Sequence, residues 1–400
     1  MNRRMFISAI SLFIGSWFFP SKHTMGKTSG DNQQQTAKKD ANQEKMLRQK
    51  IEPSDNAATV LRVHNPGVIS KDNNHDTYLD FIKGEKLDEM LAEGIREFTM
   101  QKDLKKAWLE ILTNYKKGDK IAIKPNFNSL NHGYKFTITA PQLINSVVKQ
   151  LVEVVGARPD DMFIYDLCKK IPEDIVRKRI NYPLNYVERM DSTSIFDKMK
   201  SRLHYGLSSA DTSSEIKMRE KITDEKGNLV KCYIPKVVSQ VQHIINLPLL
   251  TNHIYIANSG ALKNHYGTVR FSNFNSYPGV LHGSVLNKSV VDINQHPQIK
   301  NKTRIIIADG LFGVFDRGEG EGKGVWKSFN NDFPKSIFIS KDPVAIDSVM
   351  ASITIKEREI NKFKILSTEY LEDAMNNGLG VYENGKNGRF NKIRYKEVGI

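Results

Sequence analysis

Polar side chains break the apolar runs of this chain at places where extended structure gives no reason for them. Lys124-Pro125-Asn126-Phe127-Asn128 follows Ile121-Ala122-Ile123, and Asp166 follows Met162-Phe163-Ile164-Tyr165. Asn246-Leu247-Pro248 closes the run from His243 and leads on to His253, and Asp309-Gly310 closes Arg304–Ala308. In a parallel α/β sheet, ligands bind beyond the carboxyl ends of the strands. One Asn or Asp at a strand end ordinarily satisfies turn backbone; polar groups at several strand ends together point to a site. A second dense stretch, Asn258-Ser259-Gly260-Ala261-Leu262-Lys263-Asn264-His265-Tyr266-Gly267, places Lys263 among small and polar residues. Lysine is a point charge suited to phosphate or carboxylate. Lys124 and Lys263 therefore read as groups that neutralise a small anion, with Asn126, Asn246 and Asn264 orienting it. His253, His265 and Lys263 are the candidate acid–base groups.

Histidine also raises the question of metal. His243, His253, His265, His282 and His296 all fall within residues 243–296. No H-x-H, H-x-x-x-H or H-E-x-x-H pair is present, so no helix face is forced to hold an ion. Scattered structural histidines explain the same pattern. A divalent-metal site assembled from separate strand ends would draw on His253, His265 and Asp309 or Asp347. Other chemistries lack their motifs. Gly318-x-Gly320-x-Gly322-x-Gly324 does not sit tightly between a strand and a helix, as a dinucleotide loop must, and no G-x-S-x-G elbow occurs. That glycine run reads instead as a surface flap. Cys168 and Cys232 are the two cysteines, too few for a four-thiolate cluster or zinc site.

The elements that must position these residues are legible from periodicity. Ala57–Val63 alternates as a strand, and His64-Asn65-Pro66-Gly67 turns. After the strand at Ile121, Thr139 is the expected N-cap of a helix with Pro141 in its first turn. Leu143, Ile144, Val147, Val148, Leu151, Val152 and Val155 share one face of that helix, and Gly156 ends it. With the strand Met162–Tyr165 this makes a βαβ unit with parallel strands. Further strands are expected at His243–Leu247, Arg304–Ala308 and Ser336–Ile339. Asp342 and Pro343 then open another helix. The predicted class is α/β: a mainly parallel sheet with helices on both faces. The domain spans residues 57–400, with the polar stretch 171–230 as an irregular insertion or subdomain.

The first residues are of another kind. Arg3-Arg4 precedes an apolar run from Met5 to Phe19. The run is shorter than the about 20 residues a spanning helix needs, and it reads as a twin-arginine export signal over residues 1–20. No A-x-A cleavage site follows, so an uncleaved segment would be the chain's one membrane contact. Residues 21–56 read as a disordered polar tether. The expected location is periplasmic or otherwise extracytoplasmic, and the expected first partner is the twin-arginine export machinery, which moves folded proteins. Net charge is +14, but a large part of it lies in residues 1–50. No basic stripe with interleaved aromatics appears, so no nucleic-acid partner is expected. An anionic small molecule fits the charge.

Several of these blocks occur together in one known family. They are Lys124-Pro125-Asn126, Thr139-x-Pro141, His243-x-x-Asn246-x-Pro248, His253, Leu262-Lys263-Asn264-x-x-Gly267 and Asp342-Pro343-Val344-Ala345-x-Asp347. In that order they resemble the domain-of-unknown-function 362 family over about residues 57–390. The resemblance implies an α/β protein without an assigned reaction, often exported by a twin-arginine signal. Other members carry an added ferredoxin-like cluster segment; its cysteines are missing here, so no iron–sulfur cluster is expected. The chain departs from the family at Leu249-Leu250-Thr251, where lysines are usual. The leading expectation is an enzyme for a small anionic substrate, with metal assistance as an open option. The alternative is a non-catalytic binding or accessory protein carrying a metal or cofactor for another exported system. A pocket lined by Lys and Asn alone would favour the carrier, and acid–base groups within it the enzyme. A structural surface protein would need neither.

Overall fold

Short β-branched runs build the sheet, and their alternation decides what each side chain reaches. The computed structural model describes residues 58–70, 78–127, 138–168, 171, 173–174, 176–189, 205–273, 278–319, 325–385 and 388–400. The expected signal segment, the tether, Ala57 and Asn128 lie outside the described residues, as do Gly320, Gly322 and Gly324 of the glycine run.

The strands are β1 Ala58–His64, β2 Ile121–Pro125, β3 Met162–Asp166, β4 Asn185–Glu188, β5 Ala210–Ile216, β6 Cys232–Pro235, β7 His243–Leu247, β8 Leu249–Thr251, β9 Arg270–Phe271, β10 Thr303–Val314, β11 Ser336–Ser340 and β12 Ile393–Gly399. The helices used below are α1 Gly84–Thr99, α2 Leu104–Ile111, α3 Pro141–Gln150, α4 Ala261–Asn264, α5 Leu286–Gln295, α6 Pro343–Ile360 and α7 Glu369–Asn376. The main sheet runs β12-β1-β11-β10-β7-β2-β3-β4, with β8 added beside β10; β5-β6-β9 form a small second sheet. The pairs from β10 through β4 are parallel, and β11 is antiparallel to both of its neighbours. Helices cover both faces, as the βαβ reading requires.

Period-2 alternation sorts the core. Ile121, Ile123, Ile164, Ile245, Ile305 and Ile307 face one way and pack with Leu87, Met90, Leu91, Trp108, Leu143 and Val147 from α1, α2 and α3. Ala122, Phe163, Tyr165 and Ile244 face the other way against Val290 and Val291 of α5 and Tyr370 and Leu371 of α7. Ile306, Ala308 and Phe338 meet Ile346, Val349 and Met350 of α6 on that same second side. Each fully buried Ile or Leu contributes about 1.5–3 kcal/mol. The same alternation sends Lys124 and Asn246 toward the second face.

Two local expectations are corrected. Thr139 does not cap α3; Ala140 holds the N-cap position, with Pro141 at N1. The Thr139 hydroxyl is taken up by two strand ends, accepting from the Asn126 N–H and donating to the Leu247 carbonyl. The Ala140 N–H is capped from across the sheet by Asp309 Oδ2 at 2.8 Å. Nor does β10 stop at Asp309-Gly310. It runs on to Val314, because Gly310 lies beneath the Phe338 ring, where a Cβ would meet Cε2 at 2.7 Å. Elsewhere the signals hold: Gly156 ends the α3 segment with φ +87°, and the Asp342 carboxylate accepts from the Val344 and Ala345 N–H groups. The described residues of the stretch 171–230 supply β4 to the main sheet and β5 to the small one. Among the described residues no helix is long and apolar enough to cross a membrane.

Candidate functional site

The chain leaves β2 in two directions. β3 and β4 extend the sheet on one side, while β7 and β10 lie on the other. Such a change of direction opens a crevice at the carboxyl ends of the central strands. Lys124 of β2 and Asn246 of β7 are register partners there. A cleft of about 320 Å³ lies beside them, lined by Lys124, Asn126, Asp166, Cys168, Arg189, Ser259, Lys263, Asn264, Tyr266, Gly267, Pro278, Gly279 and His282.

Lys124 is buried, and its ammonium is held on three sides. It donates to Asp166 Oδ2 at 3.0 Å, to the Pro125 carbonyl at 2.7 Å and to Asn264 Oδ1 at 3.4 Å. Gly267 makes room for this pair, since a Cβ there would lie 2.8 Å from Asp166 Oδ1 and from the Lys124 Nζ. Asn264 donates back to the Lys124 carbonyl at 2.9 Å and to Asn246 Oδ1 at 2.7 Å. Asn246 donates to the Ala261 carbonyl and faces His265 Nε2 at 3.4 Å. His265 Nε2 is therefore the acceptor, and Nδ1–H donates to Thr268 Oγ1 at 3.0 Å. Burial, reinforced by the Lys124 charge, pushes the His265 imidazole down to about 3, so it is neutral at physiological pH. A satisfied buried network of this kind rigidifies a site.

Lys263 is treated differently. It is 4% exposed, its Nζ stands 4.4 Å from the Tyr266 ring centroid, and among the described residues no carboxylate or hydrogen-bond acceptor holds it. Burial pulls its ammonium down to about 7, and Arg317 acts in the same direction. The short α4 that carries it is fixed by Asp347 of α6, whose oxygens accept from the Ala261 N–H at 2.6 Å and the Leu262 N–H at 3.0 Å. Gly260 is required at this contact, because a Cβ there would overlap both the Asp347 carboxylate and the Asn258 amide. Tyr266 meets His282 edge-on, with ring centroids 5.4 Å apart, and His282 stacks on His253 at 5.1 Å. His282 Nδ1 lies 3.0 Å from the Pro278 carbonyl, so it carries the proton. Burial, with the Lys263 charge, pushes His282 down to about 4 and His253 well below the usual imidazole range. Cys168 is a free thiol, pushed up to about 12 by burial and the Asp166 charge.

Of the residues singled out by sequence, Lys124, Asn126, Lys263 and Asn264 line one cleft. Asn246 and His265 lie directly behind it, and His253 reaches its wall through His282. Asp309 and Asp347 are elsewhere. Asp309 caps α3 on the opposite face of the sheet, and Asp347 caps α4. The candidate metal set of His253, His265, Asp309 and Asp347 is thus not brought together. Among the described residues no group of three His, Cys, Asp or Glu side chains could hold a metal ion. Sequence reasoning did not count Asp166, Cys168, Arg189, Ser259, Tyr266 and His282 among the site residues. Asp166 carried a signal as a strand end and Tyr266 as part of the dense stretch; Arg189 carried none.

The fold and site define a doubly wound α/β protein with a cation-rich polar cleft at its strand ends. The chain belongs to the family described as Domain of unknown function (DUF362), whose model matches residues 121–352. That span holds every lining residue of the cleft and leaves out β1 and the edge strand β12. No curated protein matches the chain.

Proposed function

We propose that this exported protein binds a small anionic ligand in the Lys124/Lys263 cleft and acts on it as an enzyme. The observation that carries this reading is Lys263, a buried lysine that has no anionic partner among the described residues and shares its cleft with the Lys124–Asp166 pair. A buried cation without a counter-charge is costly. A bound carboxylate or phosphate would supply that charge, and Asn126 and Asn264 line the same cavity as hydrogen-bonding groups. The enzyme reading is favoured over a carrier because the lining is not Lys and Asn alone. Asp166, Cys168, Tyr266 and His282 also face the cleft. His282 is neutral with Nδ1–H committed, which leaves Nε2 as a base. Export rests on Arg3-Arg4 and the apolar run to Phe19, with the twin-arginine machinery as the partner in that step.

The test is calorimetric titration of the folded protein with inorganic phosphate, pyruvate and oxalate. Wild type should bind at least one of them, and Lys263→Ala should lose that binding while keeping the wild-type circular dichroism. A Lys263→Ala protein that binds as tightly as wild type would sink the assignment.

A further inference from the structure

Electrostatic capture alone does not account for how Lys263 is housed. Lys124 shows what this fold does with a lysine held as a fixed cation: it gives it a carboxylate at 3.0 Å, a carbonyl at 2.7 Å and an amide oxygen. Lys263, in the same cleft, is given an aromatic face and open cavity. Asp166, the carboxylate that lines the same cleft, is paired with Lys124, and Asp347, which fixes the helix carrying Lys263, is spent on the Ala261 and Leu262 amides. Its helix is therefore anchored at the backbone, and among the described residues no hydrogen-bond or ion-pair partner holds the amine at the tip. A free amine with those surroundings is a nucleophile.

We propose that Lys263 forms an imine with a small carbonyl compound that also bears a carboxylate or phosphate. The inference rests on the anion-cleft reading above and names its substrate class. Lys124 and Arg189 line the same cavity and provide the cationic side on which the acid group would sit. The Lys263 nitrogen adds to the carbonyl carbon, forming a C–N bond and a carbinolamine. The carbinolamine then loses its oxygen together with the two hydrogens of the amine as one water, leaving C=N. No oxidant or reductant is needed. Burial and neighbouring positive charge hold much of the amine in its unprotonated, reactive form near neutral pH. The neutral histidines His253 and His282 pack beside Tyr266 without competing for the anion.

The experiment is reductive trapping on the full folded protein at neutral pH. Pyruvate is the probe for a carboxylate-bearing carbonyl, and glycolaldehyde phosphate for a phosphate-bearing one, each with cyanoborohydride, followed by peptide mapping by mass spectrometry. The expected result is a reduced adduct on Lys263 from one probe or both. It should exceed that on any exposed lysine by on the order of a thousandfold at pH 7, the ratio of free amine for groups near 7 and near 10.5. Excess inorganic phosphate should protect Lys263, and Lys263→Arg should bind phosphate yet give no adduct at that position. Because the mapping and the protection are read on wild type, a misfolded variant would not blur the result. Adducts spread evenly over surface lysines, or none on Lys263 with either probe, would overturn the imine. If phosphate still binds in a Lys263-dependent manner in that case, only the covalent step fails. If phosphate does not bind either, the anion cleft fails with it.

Discussion

Lys124 and Asn246 stand as register partners across the parallel pair β2·β7, and one side chain, Asn264, bonds to both. It donates to the Lys124 carbonyl and the Asn246 side-chain oxygen, and accepts from the Lys124 ammonium. The cleft floor is thus tied to α4, the helix that carries Lys263. Asn264→Ala leaves two buried acceptors unsatisfied, each costing about 1–3 kcal/mol. The expected loss of stability is about 2–4 kcal/mol in urea unfolding, with phosphate binding weakened. Wild-type binding in a folded Asn264→Ala protein would show that the bridge does not position the cleft.

The Lys124–Asp166 pair yields a prediction with opposite signs in two measurements. Its side chains are 1% and 2% exposed, and removing one partner of such a pair costs about 3–5 kcal/mol. Asp166→Asn should lower stability on that scale. It should also tighten phosphate binding, since the carboxylate that competes for Lys124 is gone. Weaker binding by the folded variant would mean that Asp166 orients Lys124 toward the ligand instead of competing for it.

Gly260→Ala tests whether α4 must be capped by Asp347 to present Lys263. The added Cβ would overlap the Asp347 carboxylate and push it off the Ala261 and Leu262 amides. A melting experiment should show a loss of about 2–3 kcal/mol, accompanied by lost phosphate binding. Asp347→Ala should reproduce both effects through the opposite partner. An unchanged affinity in either variant would separate Lys263 from this cap.

Lys263 sets a pH dependence whose direction follows from its burial. Its ammonium lies at about 7 in the fold and near the ordinary lysine value of 10.5 in the unfolded chain. Between those values the unfolded chain binds more protons, so stability rises with pH across the window. The contribution is complete above 10.5 and lost as pH falls through 7. The slope should be on the order of 1 kcal/mol per pH unit between pH 7 and 9, and Lys263→Met should lack it. Phosphate affinity should move the other way, falling by about tenfold per unit above pH 7 as the ammonium is lost. Parallel urea titrations of wild type and Lys263→Met at pH 7, 8 and 9 check the first, and calorimetry over the same range checks the second.

Much of this protein could be argued from its amino acids alone, because strands and helices are local consequences of apolar spacing. The β2-α3-β3 unit, the strands at His243 and Ser336, the Gly156 stop and the Asp342–Pro343 start all follow from neighbours within a few residues. So does the choice of Lys124, Asn126, Lys263 and Asn264, whose polarity at strand ends and in the Gly260–Gly267 turn has no local use. What the tertiary structure decided is which polar groups are already satisfied. Asp309 and Thr139 look like site and cap residues in sequence, yet their partners, Ala140 in one case and Asn126 and Leu247 in the other, come from separate elements of the fold. His282 and Tyr266 enter the site because rings from distant segments stack there. The contrast between Lys124 and Lys263 is also invisible in one dimension. Both are lysines beside asparagines, and only the packing of β3, α4 and α6 gives one a carboxylate while, among the described residues, the other has none.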